Sequence, residues 1–474
     1  MRHLAFTSLL TLALGLLACG STPDDKGAGG SGAAGDTGGM GGSGGSAGSG
    51  GMGGGTGGAG GMGGSGGMPG TGGMGGSGGS GGSSAAPSRI VGYYASWDVY
   101  ERQYYIKDIE TSGSASKLTH INFAFANVQN GVATVGDPSA DVTTHYTGDK
   151  SVDGMSDSVD PGALRGSFGQ LLKLKALHPE LKALISIGGA SWSGNLPAVA
   201  ATPASRQQFA ASAIDVFIRG NFGLSKAWPG VFDGIDIDWE FVSEKDTQNF
   251  SLLLADLRAA LEAEGQKDGK KYLLTIAAPA GPEHIAHLDL ATVHPAVDWI
   301  NVMTYDYHGS WELSANFHAP LFGAKGDPSA AQKFYADNSV DLYRAGGVPS
   351  SKLVLGVPFY GRGWSGVEAG PAGDGLFQAA LGPAPAKYSP GVEDYEVLKG
   401  LEASFQKHTH PDAKVPYIYN PQTKVWWSYD DPASMTTKMQ YVKTNGLGGA
   451  MFWELSGDDP SGSLISAVAG ALAD

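Results

Sequence analysis

The sequence predicts an α/β protein, a (β/α)8 TIM barrel with a small α+β insertion between strands 7 and 8. Three observations carry that expectation. Eight short apolar runs of strand-like composition recur between residues 90 and 453. Amphipathic stretches of helical length separate most of them. One gap of about ninety residues, between 358 and 449, breaks the alternation and carries its own helix and strand signals.

Taken in order, the strand-like runs are 90–94, 120–125, 182–187, 232–238, 272–278, 297–303, 352–358 and 449–453. Helical patterns at 164–177, 203–219 and 246–262 follow the second, third and fourth runs. A helix over 329–345 follows the sixth, and one over 432–444 leads into the eighth. Within the long gap, 392–405 reads as helix, and 417–419 and 425–429 read as strands, so an insertion spans about 364–430. Loops that follow barrel strands line the active-site face, so an insertion there would deepen a cleft. A doubly wound open sheet is the alternative, and the absence of a glycine-rich dinucleotide turn after the first run weighs against it.

Upstream of 88 the composition is of another kind. Arg2 and His3 precede an apolar run over 4–17, the pattern of an export signal rather than a membrane span. Leu16-Leu17-Ala18-Cys19 then resembles a bacterial lipobox, which implies a signal peptide over 1–18 and lipid attachment at Cys19. A stray cysteine in an ordinary secretory signal is the plainer alternative. Residues 19–87 are rich in Gly, Ser and Met and read as a flexible tether, with an end-to-end distance on the order of 40 Å. Cys19 is the only cysteine of the 474 residues, so the domain over 88–474 must be held by its own core. A formal net charge of −15 excludes a basic nucleic-acid face and a polybasic membrane surface.

The chemistry concentrates in DGIDIDWE, residues 233–240. Side chains alternate along a strand, so Asp236, Asp238 and Glu240 share one face, while Ile235, Ile237 and Trp239 share the other. Asp233 is out of phase at the strand entry. The acidic face is expected to be the barrel interior, at the end that opens to the active site. Three like charges on one face cannot all ionise cheaply, so one is driven to hold a proton and can serve as a general acid. Three carboxylates holding Mg²⁺ or Ca²⁺ is the other reading.

With these residues quoted, the sequence resembles the family 18 glycoside hydrolases, the chitinase family, whose signature is DxxDxDxE. Ser186-Ile187-Gly188-Gly189 resembles that family's third-strand motif, and Met303-Thr304-Tyr305-Asp306-Tyr307 its sixth. The stretch from Gly356 to Arg362 resembles the seventh, and that from Gly449 to Glu454 the eighth. The resemblance spans about 90 to 460 and the insertion matches that of the deep-cleft branch. It implies a retaining reaction in which the substrate's own acetamido oxygen attacks the anomeric carbon, with no cofactor and no metal. On it, Glu240 is the general acid and Asp238 orients the acetamido N–H. Asp236 shares a proton with Asp238, and Tyr305 bonds the acetamido oxygen. Trp453 would be the floor under the scissile sugar. Tyr93, Phe125, Met303, Asp306, Tyr360, Arg362, Trp192 and Gly189 are the expected sugar-site neighbours, with Trp311 and Trp364 as further aromatic candidates. Asp233 and Ser186 are expected to be structural.

Two departures stand out. Ala190 occupies the place where relatives carry Trp, with Trp192 two positions on, and Phe241-Val242 stands where Tyr-Pro is common. Both bear on sugar affinity rather than on the reaction. His284 with His287, and His408 with His410, lack a convergent zinc pattern and read as surface or capping residues. The expectation is an exported, monomeric chitinase acting on chitin or N-acetylglucosamine oligosaccharides. It would sit at the outer membrane or cell surface through Cys19, or be released. An endo-β-N-acetylglucosaminidase acting on N-glycans or peptidoglycan is one alternative. A non-catalytic chitin-binding lectin is the other, disfavoured because Glu240 is present.

Overall fold

In the computed structural model, residues 88–473 are described. The expected signal peptide, Cys19 and the expected tether lie outside them. Eight parallel strands form the barrel: β1 (Arg89–Ala95), β2 (His120–Gln129), β3 (Lys182–Gly188), β4 (Gly234–Asp238), β5 (Leu273–Ala278), β6 (Trp299–Val302), β7 (Leu353–Pro358) and β8 (Gly449–Trp453). Each pairs with its neighbour in chain order, and β1 pairs with both β2 and β8. That double pairing closes the sheet and excludes the open-sheet alternative.

Strand parity decides what faces where. Ile235 and Ile237 of β4 enter the main core between barrel and helices, together with Phe217, Leu253 and Leu257. Asp236 and Asp238 face the interior. A smaller core fills the barrel itself, built from Val91, Tyr93, Ala124, Leu184, Trp299, Val354 and Met451. Burying this apolar surface is what holds a chain without disulfides together.

The helices follow the predicted rhythm with shifted ends. Gly166–Leu177 and Thr247–Asp268 are close to expectation, and Pro203–Ala213 continues into a wider turn at Ile214–Ile218. The helix expected from 329 begins only at Ala336, because Lys333 sits at φ 54° and interrupts the helical path. Leu290–Ala296 and Ser463–Ala473 are the longest of the helices that were not expected, which include Ile106–Thr111 and shorter turns. The first is short and contains Pro295, which blurs its periodicity.

The insertion is a six-stranded antiparallel sheet built around Tyr360–Ser365, which begins two residues after β7 ends and so four residues before the expected boundary. Val392–Asp394 is a strand paired with that segment rather than the start of a helix, and the helix is confined to Tyr395–Leu401. Its core combines Trp364, Trp426, Tyr417 and Tyr419 with Ala315 and Phe317 from the loop after β6. The insertion is thereby clamped to the barrel by a second loop, beside the cleft it borders. Trp364, expected as a sugar platform, is wholly buried there and donates its Nε1–H to the Glu312 carbonyl at 3.0 Å, which removes it from the site.

Candidate active site

Asp236 lies in the barrel interior, in register with Ser186 on β3 and Thr275 on β5. Its Oδ2 accepts from Tyr93 Oη and Ser186 Oγ, both at 2.8 Å. Its Oδ1 accepts from Thr275 Oγ1 at 2.5 Å and Asn301 Nδ2 at 3.3 Å. Burial raises its pKa, and these four donors oppose the rise. Both of its oxygens are engaged, which fixes the position of Asp236.

Asp238, one turn of the pleat further, is also buried, but its Oδ1 has no hydrogen-bond partner. Its pKa is raised well above the carboxylate range, first by burial, then by Glu240, and only then by Asp236. Glu240 is half-buried just beyond the strand end. Burial and the charge of Asp306 lift it to about 7, against the pull of the Ala190 backbone N–H. Asp238 and Glu240 are therefore both biased toward their acid forms.

The backbone around the row is pinned by two features. Ser193 Oγ accepts the Glu240 N–H at 2.9 Å and lies 2.9 Å from the carbonyl oxygens of Asp238 and Gly189, to which it donates in turn. Gly188 has φ 118°, and a Cβ there would fall 2.1 Å from the Asp238 carbonyl oxygen. Gly189 plays a similar part for Phe125, whose ring would lie 2.5 Å from a Cβ. Glycine at 189 is therefore required for the close approach of Phe125. Asp233 is structural in geometry, accepting from Lys175 Nζ at 2.7 Å and the Ala183 N–H at 2.9 Å.

Tyr305 and Asp306 follow β6. Tyr305 Oη is 3.7 Å from Met451 Sδ, and the charges of Asp238, Asp306 and Glu240 add to burial in raising its pKa well above the phenol range. It stays a neutral donor. Asp306, at φ 58°, takes a bidentate pair from Arg362 at 2.7 and 2.5 Å, which holds it well below the usual carboxylate range against burial. The Arg362 guanidinium in turn covers the rings of Trp311, at 5.0 Å, and Tyr360, at 5.5 Å. Tyr360 is buried beside Tyr305 and His318, as a wall. Met303 is half-buried against the inner core.

An aromatic floor lies beside the row. Phe125 stacks on Trp453 at 5.7 Å and 16°, and Trp97 approaches both, at 5.9 and 6.2 Å. Tyr93 lies 5.5 Å from Trp453 and is only 1% exposed, with its hydroxyl on Asp236. Trp192 rests on Gly136 at the rim of an open groove of about 590 Å³, lined also by Asn127, Gln129, Asn130 and Asn195. Phe241 is exposed and stacks on His284 at 4.5 Å. His408 stacks on Tyr417, and His410 Nδ1 accepts two backbone N–H groups. Among the described residues no group of three His, Cys, Asp or Glu is placed to hold a metal ion.

Sequence reasoning missed Ser193, Trp97, Thr275 and Asn301. The last two carried a readable signal: each is a lone polar residue inside an otherwise apolar barrel strand. Ser193 acts through a backbone contact 47 residues away and left no pattern to read.

A closed parallel barrel with a strand-borne carboxylate row and an aromatic floor at its C-terminal mouth defines a class of α/β-barrel site that fits a neutral polyol. The chain belongs to the glycosyl hydrolases family 18, which matches it over residues 89–458. It is 41% identical over 386 residues to Chitinase C of Streptomyces lividans, covering 78% of this chain and 58% of that protein. It is 38% identical over 422 residues to Chitinase A1 of Niallia circulans, covering 78% of this chain and 56% of that protein. The chain thus spans less than two thirds of the length of these curated relatives. The catalytic domain of psychrophilic chitinase B from Arthrobacter TAD20 superposes with a TM-score of 0.76 at 36% identity, over 81% of this chain and 95% of that one.

Proposed function

We propose that this protein is a chitinase, hydrolysing β-1,4 linkages between N-acetylglucosamine units with retention and with substrate assistance. The observation that carries the reading is the Asp238–Glu240 pair. One carboxyl is kept in its acid form to about pH 7, and the other presents a buried oxygen with no protein partner. The chitinase names of the relatives supply the substrate class.

In the proposed reaction Glu240 gives its proton to the glycosidic oxygen as that bond to the anomeric carbon breaks. The acetamido oxygen of the same sugar closes on the anomeric carbon, forming an oxazolinium ion. Asp238 passes its proton to Asp236, accepts the acetamido N–H and offsets the positive charge, while Tyr305 Oη donates to the acetamido oxygen. Water then attacks the anomeric carbon, giving its proton to Glu240, and the ring opens to the retained product. Asp236, held in place by its four donors, returns the shared proton to Asp238 as the ring opens. Trp453, Phe125 and Trp97 would pack against pyranose faces, and the Trp192 groove, rich in amides and free of charge, suits sugars further along the chain.

The test is the product profile on N-acetylglucosamine oligomers of four to six units. Short oligomers released first as the β-anomer are expected. Binding without cleavage would put the lectin reading first, and release only from glycoprotein or peptidoglycan would favour the endo-β-N-acetylglucosaminidase.

We further infer export and lipid attachment at Cys19. A Cys19→Ser chain is expected to leave the membrane fraction and to lose incorporated labelled fatty acid; unchanged membrane retention would overturn this.

A further inference from the structure

Behind the aromatic floor lies a buried group of charges that the proposed reaction does not use. The residue after each floor tryptophan is acidic: Asp98 follows Trp97 and Glu454 follows Trp453. Both point back into the protein, at 1% and 7% exposure. Neither oxygen of Asp98 has a hydrogen-bond partner, and nor does Glu454 Oε2. Buried carboxylate oxygens left unpaired are costly, so three together call for an explanation.

Arg102 provides only part of one. Its Nε is 3.3 Å from Asp98 Oδ1 but is not aligned for a hydrogen bond, and its Nη1 is engaged closely by Asp394 of the insertion. Three buried acids thus face one cation. Around them stand Tyr104 and Ser456, with Asp458 beyond and Lys387 on the far side of Asp394. None adds a positive charge against Asp98 or Glu454. Their two carboxyls are adjacent, so that one can donate to the other only if a proton is retained between them.

We propose that Asp98 and Glu454 hold one proton between them and act as positioning residues for the sugar-binding floor. While the proton is present the two carboxyls are hydrogen-bonded, and the segments carrying Trp97 and Trp453 are drawn together. Once it is lost, two like charges lie buried beneath the floor. They repel, and the rings separate from the arrangement in which they face one ligand. Arg102, shared with Asp394, extends the same connection to the insertion wall. The direction of the shifts agrees: burial raises Asp98 to about 6 against the pull of Arg102, and burial and the Asp98 charge raise Glu454 well above its ordinary value, so the last proton leaves above the usual carboxylate range.

This inference rests on the chitin-oligomer reading of the cleft, and its test separates the two. The affinity of the full chain for N-acetylglucosamine hexamer would be followed by tryptophan fluorescence from pH 5 to 10. A Glu240→Gln background prevents turnover and removes the titration of the general acid. Binding is expected to weaken by about three- to tenfold at the alkaline end, a factor of ten corresponding to 1.4 kcal/mol. Adding Asp98→Asn, whose amide is a permanent donor to Glu454, should flatten that loss. Glu454→Gln is the matching replacement from the other side and serves if the first does not fold. A merely structural role would lower thermal stability without changing the pH dependence of binding. If neither substitution changes the alkaline loss, or the parent shows none, the proton-sharing pair is wrong. If the hexamer does not bind at any pH, it is the substrate reading that fails.

Discussion

Glu240→Gln is expected to lower kcat by about 10²- to 10⁴-fold, the range attached to loss of a positioned general acid. The substitution keeps the shape of the side chain and its place after β4, and it removes only the transferable proton. Substrate affinity should therefore survive, and the loss should fall on kcat rather than on KM. The pH dependence gives a second, independent readout. Burial and the nearby Asp306 carboxylate raise the Glu240 pKa from its ordinary value to about 7. The acid form is needed for the first step, so the parent's kcat should be high below that point and fall as pH rises through it. The residual activity of Glu240→Gln should lack that limb. Steady-state kinetics on a soluble oligomer with a chromogenic leaving group checks both. A good leaving group needs little protonation, so the defect should shrink on it. An equal defect on good and poor leaving groups would argue that Glu240 serves binding instead.

The barrel was legible because its eight strands are short apolar runs at regular spacing, and because period-two alternation in β4 assigns Asp236 and Asp238 to the inside with no other information. Motif order did the rest for Tyr305, Asp306, Arg362 and Trp453. What could not be read is mostly burial. Tyr93, Tyr360 and Trp364 look alike in sequence as aromatic residues near motifs, yet in the structure the first holds a carboxylate, the second forms a wall and the third fills the insertion core. Their roles depend on which neighbours cover them, and those neighbours arrive from loops far away in the chain. The hydrogen-bond pattern of the row was hidden for the same reason. Alternation shows that the acids crowd, but not that Tyr93, Ser186, Thr275 and Asn301 all donate to Asp236 and leave Asp238 without a donor.

That asymmetry leads to a result in which activity and stability move in opposite directions. Asp238→Asn should lower kcat by about 10²- to 10³-fold, the cost typical of removing one preorganised electrostatic stabiliser of a charged transition state. An amide can still accept a hydrogen bond, but it cannot become the negative charge that an oxazolinium-like ion requires. In the absence of substrate the same change should leave the fold as stable or more so. Asp238 is buried with Oδ1 unpartnered, and its pKa is raised well above the ordinary value. The unfolded chain releases that proton near pH 4, while the folded chain retains it. The parent therefore loses stability as pH climbs from about 4 towards the folded value, and the asparagine variant, with nothing to titrate, does not. Thermal midpoints of the two proteins, compared at pH 4 and at pH 8, should diverge in favour of the variant at the higher pH. A carboxylate that merely held the barrel together would behave in the reverse way, with its loss lowering the midpoint and sparing turnover. A carboxyl kept at a cost to the fold, and needed only when a charge develops beside it, is what a site built around its transition state requires.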